Sequence, residues 1–64
     1  MKKAEVIELL KLMAENTRAV AYQYEEEDKD FHEKLFREYM GMNIAIMVLT
    51  DSKFAKSMAD IYMK

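Results

Sequence analysis

The chain has no cysteine, no proline and a single glycine, Gly41. Without thiols it can form neither a disulfide framework nor a thiolate zinc site. Cysteine-free composition fits a reducing compartment, so a cytoplasmic location is expected. The scarcity of glycine and proline removes the usual punctuation of strands and hairpins. Long apolar runs are missing as well. The most apolar stretch, residues 39–49, is 11 residues long and contains Gly41 and Asn43, whereas roughly 20 are needed to span a bilayer. The opening Met1-Lys2-Lys3 resembles the start of a signal peptide, but Glu5 and Glu8 interrupt the apolar segment that should follow. A surplus of basic charge is also lacking: 10 basic residues face 12 acidic ones, for a net charge of −2. A general nucleic-acid binder normally carries a basic excess. Neither a membrane nor a nucleic acid is therefore an expected partner.

What is present has helical spacing. Val6, Leu10, Met13, Thr17, Val20 and Tyr24 follow one another at intervals of four and three residues, and Ile7, Ala14 and Ala21 widen the stripe on one flank. Lys11, Glu15 and Arg18 fall on the opposite side, where Leu12 would be exposed in a monomer. This predicts a first helix over about residues 3–25. Residues 25–30 then hold five carboxylates and one lysine. Asp30 is placed to cap a second helix, with Glu33 three positions on to complete a capping box. A break is expected here, and a hairpin follows from it. The pairs Glu25–Lys29 and Asp30–Lys34 lie at i,i+4 across the break, however, and would also support one continuous rod.

The second helix, about residues 31–49, carries Phe31, Leu35, Tyr39, Met42, Ile46 and Leu49 on one face. Glu33, Lys34 and Arg37 cover the back of its first half. Gly41, Ile44, Ala45 and Val48 make the second half apolar nearly all round, the pattern of a helix buried on several sides. Gly41 and Ala45 leave a shallow strip where another helix can approach closely; Gly41 could equally mark a kink. Thr50-Asp51-Ser52 supplies caps for a third helix, about residues 52–63, striped with Phe54, Met58 and Ile61.

The fold class expected is all-α: one helical domain over residues 1–64, built as a hairpin plus a short third helix and dimerising into a helical bundle. A chain near 60 residues buries only about 60% of its unfolded surface and is marginal alone. Small scaffolds usually add disulfides, a metal or an oligomeric partner. A two-fold dimer is the commonest solution, with Leu10, Met13, Leu35, Tyr39, Met42, Ile46 and Leu49 in its core. Asn43 would either fix register by bonding its mate or sit at the rim.

Chemical machinery is sparse. His32, the only histidine, follows Asp28 by four residues, but Phe36 stands where an H-E-x-x-H zinc motif needs its second histidine. A di-iron motif would need a carboxylate in place of Lys29. A calcium loop starting at Asp28 and Asp30 would need glycine in place of Glu33. His32 is therefore expected to be a solvated residue near a helix start. Ser52 and Ser57 are the only serines it could activate, and no glycine-rich loop exists to hold a phosphate. No catalytic residue, cofactor or metal is assigned. The seven methionines are expected chiefly to fill the core, and second to form an adaptable binding surface.

In general appearance the chain resembles small all-helical accessory proteins of phages and mobile elements. The features are the lysine-rich start before Ala4-Glu5-Val6-Ile7-Glu8-Leu9-Leu10, the glutamate-rich junction and the apolar second helix. The likeness rests on no motif and transfers no functional residue. It implies stoichiometric blocking of a host enzyme or defence complex. The expected function is a homodimeric, non-enzymatic inhibitor or regulator of a larger protein. Glu25, Glu26, Glu27, Asp28, Asp30 and Leu12 are its candidate contacts. The alternatives are a structural subunit of a larger helical assembly, an acidic nucleic-acid mimic using residues 25–30, and a metal enzyme built on His32, Asp28 and Glu25.

Overall fold

The computed structural model describes residues 1–63. It contains three helices, α1 (Lys3–Gln23), α2 (Lys29–Thr50) and α3 (Ser52–Tyr62), and no strand among the described residues. At its start α1 is held by Glu5, whose carboxylate accepts from the Lys2 backbone N–H at 3.2 Å. That bond satisfies one free donor and sets a negative charge at the positive end of the helix dipole.

The chain turns sharply between α1 and α2. Tyr24 leaves helical geometry at φ −103°, ψ 7°. Its N–H bonds the Ala21 carbonyl at 3.2 Å, and the Glu25 N–H bonds that of Tyr22 at 3.4 Å. Asp28 is extended at φ −151°, ψ 93°, and its carboxylate accepts from the Phe31 N–H at 3.0 Å. The cap of α2 is thus Asp28, not Asp30, and the helix begins two residues before the expected Phe31. The first helix likewise stops at Gln23 rather than residue 25. Both differences have one cause. Glu25, Glu26 and Glu27 would load negative charge on the negative end of the α1 dipole, while Asp28 gains a backbone bond by leaving the helix. Among the described residues none adopts a positive φ, so the turn forms without glycine.

α1 and α2 form an antiparallel hairpin. Cross-helix pairs run in opposite directions: Tyr24 meets Phe31 edge-on at 4.9 Å between centroids, Tyr22 meets Phe36 at 6.4 Å, and the Thr17 hydroxyl reaches the Met42 sulfur at 3.9 Å. The chain is therefore not a rod. Among the described residues only Ala14 and Ala21 are buried, at 3% and 0% exposure. Half-buried Ile7, Leu10, Thr17 and Tyr24 complete their row, which alternates three- and four-residue steps as in a coiled-coil seam. The seam of α1 is thus rotated toward the flank occupied by Ile7, Ala14 and Ala21, and Met13 is left 45% exposed. On α2 the matching half-buried row is His32, Leu35, Tyr39, Met42, Ile46 and Leu49.

Asp51 serves two helices at once. Its N–H bonds the Met47 carbonyl, ending α2, and its carboxylate accepts from Lys53 and Phe54 N–H groups at 3.0 and 3.1 Å, starting α3. Thr50 donates to the Ile46 carbonyl at 2.8 Å, occupying another acceptor at that end. The third helix ends at Tyr62 rather than residue 63. Among the described residues α3 packs against α2 but not against α1, so it does not close over the hairpin.

The result is a thin layer of 40 × 28 × 15 Å. Its radius of gyration is 14.0 Å, against about 11 Å for a compact chain of this length. The methionines do not fill a core: Met13, Met40, Met47 and Met63 are all more than 40% exposed, because two helices side by side enclose no interior.

Replacing Ala21 by leucine would overpack the hairpin contact and cost about 1–3 kcal/mol, whereas Ala19→Leu, on an exposed position, would change stability little. Urea unfolding followed by circular dichroism compares the two; equal effects would contradict the seam described. In the same assay Asp28→Ala should cost about 1 kcal/mol through loss of the cap, and Asp30→Ala should cost less.

Candidate functional site

Aromatic side chains gather beside the turn. Tyr22 from α1 and His32, Phe36 and Tyr39 from α2 form a chain of contacts with centroid separations of 5.6 to 6.4 Å. The Arg18 guanidinium lies 5.6 Å from the Tyr22 ring centroid, within reach of its negative face. His32 sits inside this cluster. Its Nδ1 is 2.6 Å from the Ala21 carbonyl oxygen. A carbonyl only accepts, so Nδ1 carries the proton and donates. The residue is half-buried and fastens the start of α2 to the end of α1. It is not the freely solvated histidine expected; helix α2 begins early enough to place its ring on the seam.

Asp28 accepts from the Phe31 N–H within the first turn of α2, and His32 bonds the Ala21 carbonyl of α1; of the pair at metal-ligand spacing, His32 ties the hairpin and Asp28 caps its second helix. Among the described residues, no three His, Asp or Glu side chains come together to hold a metal ion. Ser52 begins α3, twenty residues along the chain from His32 and about 30 Å away by helix rise. Ser57 is only a turn and a half further along α3, so neither serine can pair with the imidazole.

Surface depressions on the hairpin include two that involve α2. One is an open hollow bordered by His32, Glu33, Phe36 and Arg37. The other is a groove over Ala14, walled by Lys11, Glu15 and Arg18 on α1 and by Tyr39, Asn43 and Ile46 on α2. Its charges are of mixed sign. Asn43 lies half-buried at its edge.

The expected contact residues divide into three groups. Leu10, Leu35, Tyr39, Met42, Ile46 and Leu49 are half-buried by this one chain, while Met13 is exposed. Glu25, Glu26, Glu27, Asp28 and Asp30 are all exposed at the hairpin tip. Leu12 is 62% exposed and lines a shallow apolar groove with Met1, Ala4, Glu5, Glu8 and Leu9, far along α1 from the acidic tip. Gly41 is not a point of close approach within the chain: a methyl group added there would meet nothing within 4 Å. No kink is needed to explain it, since α2 runs unbroken through it.

Sequence reasoning missed the aromatic fastening around His32. A signal was available, because Tyr22, Tyr24, Phe31, Phe36 and Tyr39 flank the acidic junction on both sides. Of the exposed apolar positions of α2, Ile44 and Val48 were legible as the apolar back of the helix, whereas Met40 and Met47 were not placed there. No helix among the described residues is long and apolar enough to cross a membrane. The chain matches no protein-family model, no curated protein and no solved structure.

His32→Asn should keep most of the hairpin's stability, because an asparagine amide can donate from nearly the place of Nδ1. His32→Leu removes the donor and should cost about 1 kcal/mol. Chemical denaturation of both variants reads the difference; equal losses would show that packing alone, not the bond to Ala21, holds this position.

Proposed function

We propose that this chain is a non-enzymatic protein-binding module that acts as a homodimer and regulates a larger protein by stoichiometric docking. One observation carries the reading: the folded chain exposes more surface than a self-sufficient molecule of its size. Its accessible area is 5332 Å², whereas a folded monomer of 7.6 kDa is expected to expose about 4,300 Å². The excess, about 1,000 Å², is comparable to the roughly 800 Å² that each partner contributes to a standard interface. Much of this surface is apolar. Among the described residues no large side chain is fully buried, while Leu9, Leu12, Met13, Met40, Ile44, Met47, Val48, Ile61 and Tyr62 are all more than 40% exposed. Apolar patches of that extent mark interaction sites.

The engaged states of His32 and Asp28 favour binding over catalysis as the chain's task. The several open faces support docking on a larger protein, the role that the resemblance to small phage-type accessory proteins implies. A structural subunit would instead expose faces that propagate an assembly without closing it.

Two measurements test this reading. Sedimentation at micromolar concentration should give a closed dimer; an open-ended series of oligomers would favour the structural subunit, and a stable monomer would remove the basis of the proposal. Affinity capture from lysate of the source cell should recover one larger protein in fixed ratio, and Leu12→Glu should abolish capture while leaving the dimer intact. Recovery of no specific protein by the intact chain would contradict the regulatory role.

A further inference from the structure

The apolar surface of α2 that faces neither α1 nor solvent-exposed charge has a definite pattern. Met40 is 51% exposed, Ile44 and Met47 each 43%, and Val48 41%. Their spacing of four, three and one residues keeps them on one side of the helix, with exposed Gly41 among them. This side is turned away from the row His32–Leu35–Tyr39–Met42–Ile46–Leu49 that packs on α1. α3 leaves it open. Arg37 stands one turn before the stripe, Asp51 follows its end, and no charged side chain interrupts the stripe between them.

We propose that a second copy of this chain seats here, with the two α2 helices antiparallel about a two-fold axis near Ile44. The proposal rests on the homodimer of the preceding reading and assigns its interface. Three observations select a second copy as the occupant. The excess area matches what one partner of a stable dimer must bury. The stripe is self-complementary in the antiparallel sense: with Ile44 opposite its mate, Met40 meets Val48 and Gly41 meets Met47, a vacancy set against a long flexible side chain. The same register brings Arg37 opposite Asp51 at both ends, whereas a parallel, in-register pair would set Arg37 beside Arg37 and Asp51 beside Asp51. The open space at Gly41, where an added Cβ meets nothing within 4 Å, is then the point where the partner helix comes closest. Ala45, the other small residue of this segment, is half-buried and flanks the contact. Leu9, Leu12 and Met13 lie on α1, apart from this face, and stay available to a different protein.

The absence of native cysteine makes the interface readable by single-cysteine variants. Facing helices 8–10 Å apart bring opposed Cα atoms within disulfide range. Under mild oxidation Ile44→Cys should convert almost wholly to a covalent dimer, while Lys11→Cys and Leu12→Cys should not. Gly41→Leu is the second variant. It meets no obstacle inside one chain and removes a poor helix former, so helicity in dilute solution should hold or rise. It would block the approach of Met47 from the partner, and the dimer dissociation constant should increase on the order of tenfold or more. A dimer that survives Gly41→Leu, or that cross-links through Leu12→Cys as fast as through Ile44→Cys, overturns this seat and leaves the homodimer standing. A wild-type chain that stays monomeric overturns both.

Discussion

Everything in this molecule depends on the contact of α1 with α2, and that contact is made through small side chains. Ala14 and Ala21 are the only buried residues among those described. They let the two helices approach closely, but a pair of cylinders touches along a line and has two open faces. Larger side chains on either side of that line, such as Leu10, Tyr39 and Ile46, are therefore half-covered at best. A third helix lying across both would create an interior. α3 does not do so, because the single-residue junction at Asp51 sends it along α2 alone. The molecule is a single layer of helices with both faces open. This is the geometric form of the general difficulty that short chains have in shielding their apolar surface.

The hairpin is fastened at its closed end by polar and aromatic contacts. Asp28 fixes the start of α2, Tyr24 stacks edge-on against Phe31, and His32 reaches back to the Ala21 carbonyl. These contacts join the last turn of one helix to the first turn of the next and have short loop closures, so they cost little chain entropy. They orient the layer without covering it. Specific local geometry at the turn and incomplete burial elsewhere thus belong to one design: a pre-formed hairpin whose remaining apolar area is available for association.

Much of the fold was legible in the sequence. Three helices, the break at the acidic junction and the capping role of Asp51 follow from spacing and from residue chemistry that acts over a few positions. What was not legible depends on competition or on distance. Asp28 and Asp30 are both good caps, and the choice between them turns on where three glutamates make α1 stop. The seam of α1 runs through Ile7, Ala14 and Ala21 rather than Val6, Met13 and Val20, since both rows have helical spacing and only the partner helix decides between them. The five seam residues of α2 other than His32 had the expected face, Leu35 to Leu49. Methionine content gave the wrong impression of a filled core, because composition says nothing about whether a third helix folds over the first two. Of the candidate contacts, the exposure of Leu12 and of the acidic tip was visible in the pattern, as was the apolar back of α2 at Ile44 and Val48; that this back stays open, with Met40 and Met47 beside it, required knowing where α3 lies.

The central claim is that the folded state is completed by association, and the concentration dependence of thermal unfolding addresses it directly. If dimerisation supplies part of the stability, mass action must raise the unfolding midpoint as protein concentration increases. Circular dichroism melts across a range of about a hundredfold, from low micromolar upward, should show that rise. A midpoint that stays constant over the range, with a cooperative transition at each concentration, would contradict the account.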